Sequence, residues 1–504
     1  MSLPARINPA DRIPLGQKLA FAAGVNTDYI ATGLLTSTLW MAFFNIGLGI
    51  DAVLLGVILM VLRAWDALTN PVMGNISDNA RTRWGRRRPF MFAGAVLTAL
   101  IYPALWYLPA GWGETARAVY LTVAGLVFFT AFTLWSMPYY ALQLELTPDY
   151  DERTRLTAWM TLFGKLSSLL GGWLLTFVIF VGLLAQNDPK AFEGKSDFLR
   201  SLLAWAQPWL AFVGHAEPGE KPIVVGMKAA CWLIALAILV IGILPALFVK
   251  ERYYAAEASK QPREPFWQSI KGSGRCGPLW ALILISFFLV LGTSSVAALG
   301  QYANFYYVCG GDLTLGAYIM GVKSTVLVLT GIATIPLFTW LGEKLDKRTV
   351  VMLMLGITMF GHLLNWFLMT PAHPYWQIIP GFFESSALAA VWLFLPSMKA
   401  DVADYDEQQT SRRREGSLNA FYSWFIKVSL TASMGIGGVV LKITGFNPKA
   451  DVQPDDVTHR MFVIYVILPL VIWCVALVFA WFYPLTRQRC AHIRADLESR
   501  RGRV

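Results

Sequence analysis

In the segment VLRAWDALTNPVMGNISDNARTRWGRRRP, residues 61–89, an aspartate sits inside an apolar run that a block of arginines closes. A carboxylate at such a depth is costly unless it faces water, a counter-charge or a bound ion, so Asp66 is the first candidate for chemistry. Thr69 and Asn70 follow at i+3 and i+4, which places a hydroxyl and an amide on the carboxylate's face of a helix. Thr133, in a later apolar run, can supply a further oxygen. Oxygen clusters of this kind suit a hard cation such as Na+, whereas a desolvated carboxylate alone suits a proton. Residue types and spacing leave both open.

Other charges also fall inside apolar runs: Asp28, Arg63, Lys165, Lys228, Lys323, Glu384 and Lys427, with Asp401 near the end of one. Lys228 and Lys323 lie one or two turns from span ends and are expected to snorkel to the interface. Lys427 lies about 16 Å into its run at 1.5 Å per residue, and an ammonium there needs an anion. Asp66 is at comparable depth and is the expected partner. A cation that takes the carboxylate would break the pair and so provide coupling; a static structural pair is the alternative. Tyr29, Tyr139, Tyr140, Trp159, Trp392, Tyr422 and Trp424 add aromatic faces. Together with Asp, Lys, Ser and Thr they suit a sugar, whose edges carry hydroxyls and whose ring faces are apolar, although any one aromatic taken alone is more often packing.

The elements that position these groups follow from composition. The chain has 504 residues, of which 56% are hydrophobic and 15% charged, with mean hydropathy +0.50. That is the composition of a polytopic membrane protein. Apolar runs long enough to cross roughly 30 Å of hydrocarbon occur at 18–46, 51–76, 89–111, 116–146, 155–185, 222–249, 277–308, 314–341, 349–370, 375–403, 415–444 and 459–485. Lys and Arg concentrate in alternate loops, which puts both termini in the cytoplasm and makes the net charge of +10 a matter of topology, with no nucleic-acid partner implied. The first span lacks a signal-peptide cleavage pattern and is expected to stay in the chain. The five Cys and five His are scattered, so neither a disulfide framework nor a zinc site is indicated. No cofactor is expected, and without a nucleophile–base pair an enzyme is not expected either.

The tetrapeptide DYDE occurs at 149 and again at 404, each time at the predicted cytoplasmic end of a span with arginines following. The loop after span two is echoed after span eight by LGEKLDKRTV, 341–350. A duplicated six-helix unit accounts for both. The predicted fold is therefore an all-α membrane protein of the major facilitator superfamily, with twelve transmembrane helices in two six-helix pseudo-repeats and a cavity at the interface of the halves. The expected division is 1–249 and 277–485 for the bundles, 250–276 for a cytoplasmic linker and 486–504 for a basic tail. Phe266, Trp267 and Ile270 of the linker could lie on the bilayer surface. The outer loop 186–221 is rich in aromatics, which suits an interfacial anchor or a cover for the cavity mouth.

RAWDALTNPVMG, NARTRWGRRRP, PYYALQLELTPDYDERTRL, ADVADYDE and KVSL resemble the glycoside-pentoside-hexuronide:cation symporter family, in register through all twelve spans. The resemblance implies a monomeric bacterial inner-membrane transporter that moves a small sugar with Na+ or H+ by alternating access. It implies cation binding or coupling at Asp66, Thr69, Asn70, Thr133 and Lys427, with no metal beyond a possible Na+ at Asp66. Substrate contacts are expected at Asp28, Ser136, Tyr140, Thr161, Lys165, Trp392, Tyr422 and Ser423. Gating falls on Asp78, Arg86, Asp149, Arg153, Asp404 and Arg412. Asn70 replaces a second acid found in melibiose permease, Ser136 and Thr161 replace its galactoside-binding Asp and Arg, and Lys165 has no counterpart there. An uncoupled sugar facilitator and a lipid or lysolipid transporter are the alternatives.

Overall fold

The computed structural model describes residues 12–501 except 81, 110, 147–149, 216, 218, 252–273, 275, 411–414 and 451. For a few helical residues, 78, 153 and 392 among them, only the backbone is described. Among the described residues every regular element is helical. Eleven stretches among the described residues are long and apolar enough to cross a membrane. The chain divides into two compact units, Met1–Gln261 and Pro262–Val504.

In the first unit, α1 runs Leu15–Asp28 and continues in wider π-helical turns, Tyr29–Leu39 and Met41–Gly47. Then come α2 (Ala52–Asn79), α3 (Arg88–Ile101), α4 (Glu114–Glu145), α5 (Tyr150–Ala185), α6 (Asp197–Gly214) and α7 (Pro222–Phe248). Asp51 caps α2 by accepting from Leu54 N–H at 2.9 Å, satisfying an amide that lipid could not. α5 and α7 approach so closely that a Cβ on Gly182 would meet the Pro222 carbonyl oxygen at 1.8 Å. α6 falls in the predicted outer loop: Ser196 caps it, and Phe198, Trp205, Trp209 and Phe212 stand exposed along it, as an interfacial anchor requires.

The second unit comprises α8 (Gly277–Tyr302, with π-helical turns to Val308), α9 (Leu313–Lys344), α10 (Lys347–Leu368), α11 (Gly381–Thr410), α12 (Glu415–Thr444), α13 (Asp455–Trp481) and α14 (Arg487–Arg501). The predicted tail is thus a helix. α14 buries Ile493 and Leu497 in the unit's core, and Gln408 of α11 donates to its Asp496 at 2.9 Å.

Two arginines carry the internal repeat. At the start of α3, the Arg88 guanidinium donates to the carbonyls of Ala246 (2.6 Å) and Leu247 (2.9 Å) at the end of α7. At the start of α10, Arg348 donates to the carbonyls of Tyr483 (3.3 Å) and Trp481 (3.5 Å) at the end of α13. Each satisfies the open C-terminal carbonyls of the sixth span of its half. The DYDE copies are not equivalent in this way. Tyr150 opens α5, whereas Tyr405 lies in the last two turns of α11, so the first copy begins a span instead of ending one.

Candidate functional site

The first unit gathers the predicted polar residues from four helices. Asp28 ends the α-helical part of α1, where the backbone widens into π-helical turns of the kind that recur at functional sites. Its carboxylate accepts from the Tyr140 hydroxyl of α4 and from Thr32 Oγ1, the latter at 2.9 Å. Ser167 of α5 donates to Asn26 in the preceding turn. Tyr140 itself is 40% exposed, so its ring face remains open for stacking. Tyr139 turns the other way: its ring stacks between Phe21 and Trp135, and its hydroxyl donates to the Phe21 carbonyl at 2.8 Å, which makes it core.

Asp66 is buried on α2 and accepts from Thr133 Oγ1 of α4 at 3.3 Å. Thr69 Oγ1 lies 3.4 Å from Thr133 Oγ1. The amide oxygen of Asn70, one turn on, is buried with no hydrogen-bond partner among the described residues. A carboxylate, two hydroxyls and an unpartnered amide oxygen form an acceptor-rich set suited to a bare monovalent cation or a proton. No group of three or more His, Cys, Asp or Glu that could hold a metal occurs among the described residues.

A cationic side chain, Arg63, also stands one turn before Asp66 on α2. Arg63 feels both the Asp66 and the Asp28 carboxylates. Its Nη2 donates to Thr36 at 2.9 Å, Thr36 donates to the Thr32 carbonyl at 2.8 Å, and Thr32 holds Asp28. The signal was the i−3 spacing in RAWD. Lys427 lies near the middle of α12 in the second unit, and Asp66 belongs to the first.

Ser136 is buried on α4, while Thr161 is exposed on α5 and donates to its own Thr157 carbonyl at 2.9 Å. Lys165, one turn further, is half-buried and has no hydrogen-bond or ion-pair partner among the described residues. In the second unit the Tyr422 hydroxyl meets Ser286 Oγ at 2.8 Å and the Lys399 ammonium lies 5.2 Å over the Tyr422 ring, with Ser423 half-buried beside it. The Trp392 side chain lies outside the described residues.

The expected snorkelling separates the two lysines. Lys228 reaches Glu220 at 2.9 Å, just before α7. Lys323 instead pairs at 3.0 Å with Glu384 inside the bundle, because a buried carboxylate is nearer than the interface.

Among the gating residues, Asp149, Arg412 and the side chains of Asp78 and Arg153 lie outside the description. Arg86 is buried, and its backbone N–H donates to Glu251 at 3.0 Å. The N–H groups of Arg87 and Arg88 converge on the same carboxylate at 2.9 and 3.1 Å, closing the N-terminus of α3 with an anion. Gly85 (φ +106°) makes room: a Cβ there would meet Glu251 Oε1 at 2.5 Å. Glu251 was not foreseen, since it follows α7 some 165 residues away. In the DYDE motif the anchored residue is Glu152. Its carboxylate takes the Lys18 ammonium at 2.6 Å and the Ile13 N–H at 2.8 Å. In the second unit Asp401, near Asp404, pairs with Lys347 at 2.6 Å.

Comparison with known proteins follows this geometry. An uncharacterized symporter of Synechocystis, sll1374, is 26% identical over 97% of this chain and 98% of its own. The sodium-dependent lysophosphatidylcholine symporter 1-B of Danio rerio is 24% identical over 96% of this chain and 90% of its own. YagG of Escherichia coli, named for glycoside/cation symport, is 22% identical over 91% and 90%. A bacterial homologue of the lysosomal transporter Spinster superposes with TM-score 0.63 at 12% identity, covering 95% of this chain and 97% of that one. A D-xylose-proton symporter does so at 0.56 and 14%, covering 93% and 96%. Both share the fold. The pattern of the MFS/sugar transport protein family spans residues 21–487, so the chain belongs to that family of multi-pass membrane transporters, which are not enzymes.

Proposed function

We propose that the protein carries a glycoside or related sugar across a bacterial inner membrane together with a monovalent cation, by alternating access and as a monomer with both termini cytoplasmic. Asp66 takes the cation and Asp28 the sugar hydroxyls. The observation that carries this reading is the oxygen set around Asp66, where Thr133 donates to the carboxylate and the Asn70 amide oxygen is left without a donor. Arg63 supplies a route for coupling. With Asp66 ionised its attraction is shared between two carboxylates; once a cation neutralises Asp66, Asp28 draws on it alone. Relatives named for sodium-dependent and glycoside/cation symport support coupling in preference to an uncoupled facilitator. With one acid in the set, Na+ and H+ each neutralise it fully.

A lysophospholipid is the second reading, favoured by the lysophosphatidylcholine symporters among the relatives and by Lys165, which has no partner among the described residues and which a phosphate would pair with. Thermal-shift titration of the purified protein with neutral glycosides, uronates, sulfonated sugars and lysophosphatidylcholine separates the two. Stabilisation by a sugar is expected; stabilisation by the lysolipid alone would overturn the sugar assignment. Asp28→Ala removes a charged acceptor, worth about 1.5–3 kcal/mol, and is expected to weaken binding of the stabilising sugar about tenfold to a hundredfold by calorimetry. Unchanged affinity would remove Asp28 from the sugar site.

A further inference from the structure

The second unit contains a buried charged cluster that cation coupling at Asp66 leaves unused. Glu384 of α11 is 7% exposed. Its Oε2 takes the Lys323 ammonium of α9 at 3.0 Å, and its Oε1 takes Asn365 Nδ2 of α10 at 3.0 Å. The same Oε1 faces His362 Nδ1 of α10 at 3.2 Å. The other ring nitrogen of the fully buried His362, Nε2, lies 3.1 Å from the backbone carbonyl oxygen of Tyr465 on α13. The rings of Tyr465 and Trp473 close the imidazole edge-on, with centroids at 5.1 and 5.4 Å.

Counting hydrogens shows what the cluster lacks. A neutral imidazole has one N–H and one lone pair. The Tyr465 carbonyl and the Glu384 carboxylate can both only accept, so the ring's single hydrogen serves one of the two contacts. The other nitrogen then points a lone pair at an oxygen, a contact that repels in a site screened from water. Asn365 relieves it little: its two amide hydrogens serve the His362 carbonyl and the Glu384 carboxylate, each at 3.0 Å, and its nitrogen lies only at 3.5 Å from Nδ1. Its own Oδ1 is buried with no hydrogen-bond partner among the described residues. The cluster is short of hydrogens and has acceptors to spare.

One added proton resolves the conflict. On the ring it makes an imidazolium that donates to both oxygens; on Glu384 it makes a carboxylic acid that donates to Nδ1. The titratable groups facing this contact are Lys323 from α9 and Tyr465 from α13, which also interact with each other. α8, packed along α13, has Tyr302 as its only titratable residue. The added charge is tolerable because the Lys323 side chain is 20% exposed, so its ammonium is partly solvated.

We propose that His362 and Glu384 bind one proton between them, giving the second unit a proton site separate from the Asp66 carboxylate. Protonated, the contact adds a hydrogen bond between α10 and α11 to the one from Asn365; deprotonated, it sets two acceptors against each other. This proton binds whichever cation Asp66 takes.

The test uses the full-length protein in lipid nanodiscs with ¹⁵N-labelled histidine. His362 is the fully buried histidine, and His215, His373, His459 and His492 are all exposed, so its resonance is the one that a water-soluble paramagnetic agent leaves unbroadened. Between about pH 5 and 8 the account expects one of two signatures. The first is a ring with both nitrogens protonated, reverting to a single tautomer at higher pH. The second is a neutral ring accompanied by the infrared band of a protonated carboxyl, absent in Glu384→Gln. A neutral ring of either tautomer without a protonated carboxyl band throughout that range would overturn the proposal. The wild-type spectra decide it even if the variant fails to fold.

Discussion

Asp66→Asn abolishes cation-driven accumulation of substrate while leaving passive exchange measurable. A tenfold inward cation gradient supplies about 1.4 kcal/mol per cation and so sustains about tenfold accumulation at one-to-one stoichiometry. The neutral amide keeps the volume and can still accept from Thr133, which donates to Asp66 at 3.3 Å, so the fold is retained. What disappears is the only carboxylate in the set formed with Thr69, Asn70 and Thr133. Without it a monovalent cation meets only neutral oxygens and gains too little to offset its dehydration, and a proton has no carboxylate to bind. Arg63 is then left with Asp28 as the one of these two carboxylates acting on it, as it is when a cation neutralises Asp66. Uptake into proteoliposomes with an imposed gradient checks this: the variant is expected to equilibrate substrate at a ratio of about one. Gradient-dependent accumulation by the variant would remove Asp66 from the coupling role.

Glu152→Ala destabilises the protein severely. The Glu152 side chain is fully buried and takes both the Lys18 ammonium and the Ile13 N–H, which anchors the start of α1 to the first turn of α5. Lys18 is itself buried, at 7% exposure. Removing one member of a buried pair costs about 3–5 kcal/mol, because the remaining charge stays out of water without compensation. A fall of several degrees in the unfolding temperature of detergent-solubilised protein is expected. A double replacement, Lys18→Met with Glu152→Leu, is expected to recover most of it, since it removes both desolvated charges. An unfolding temperature in Glu152→Ala equal to that of the wild type would show that the pair contributes nothing.

The residues of the candidate site differ in how far sequence could reveal them. Asp66, Thr69 and Asn70 share one helix face by spacing alone, and the structure keeps them there with Thr133. The Asp28 and Tyr140 contact joins helices separated by 112 residues, so only the resemblance to a known family suggested both. Arg63 was visible as a charge in an apolar run, but its shared attraction to two carboxylates depends on how α1 and α2 pack. The Lys323, His362, Asn365 and Glu384 cluster brings together three helices, and no local spacing encodes it. Hydropathy placed the spans because bilayer thickness fixes their length. It could not place α6 or α14, whose amphipathic faces answer to an interface and to a core. The DYDE repeat matched in letters yet fell at different points of its two helices, whereas Arg88 and Arg348, at the ends of the two echoed loops, match in function.

Coupling of sugar to a cation shows in how far the protein accumulates its substrate. Purified wild-type protein in sealed proteoliposomes is given the sugar that stabilises it, under an imposed Na+ gradient, an imposed proton gradient, or neither. Accumulation above the external concentration with one of the gradients, collapsing when that gradient is dissipated by an ionophore, is the predicted result. Equilibration to the external concentration under all three conditions would contradict the account and leave a facilitator in its place.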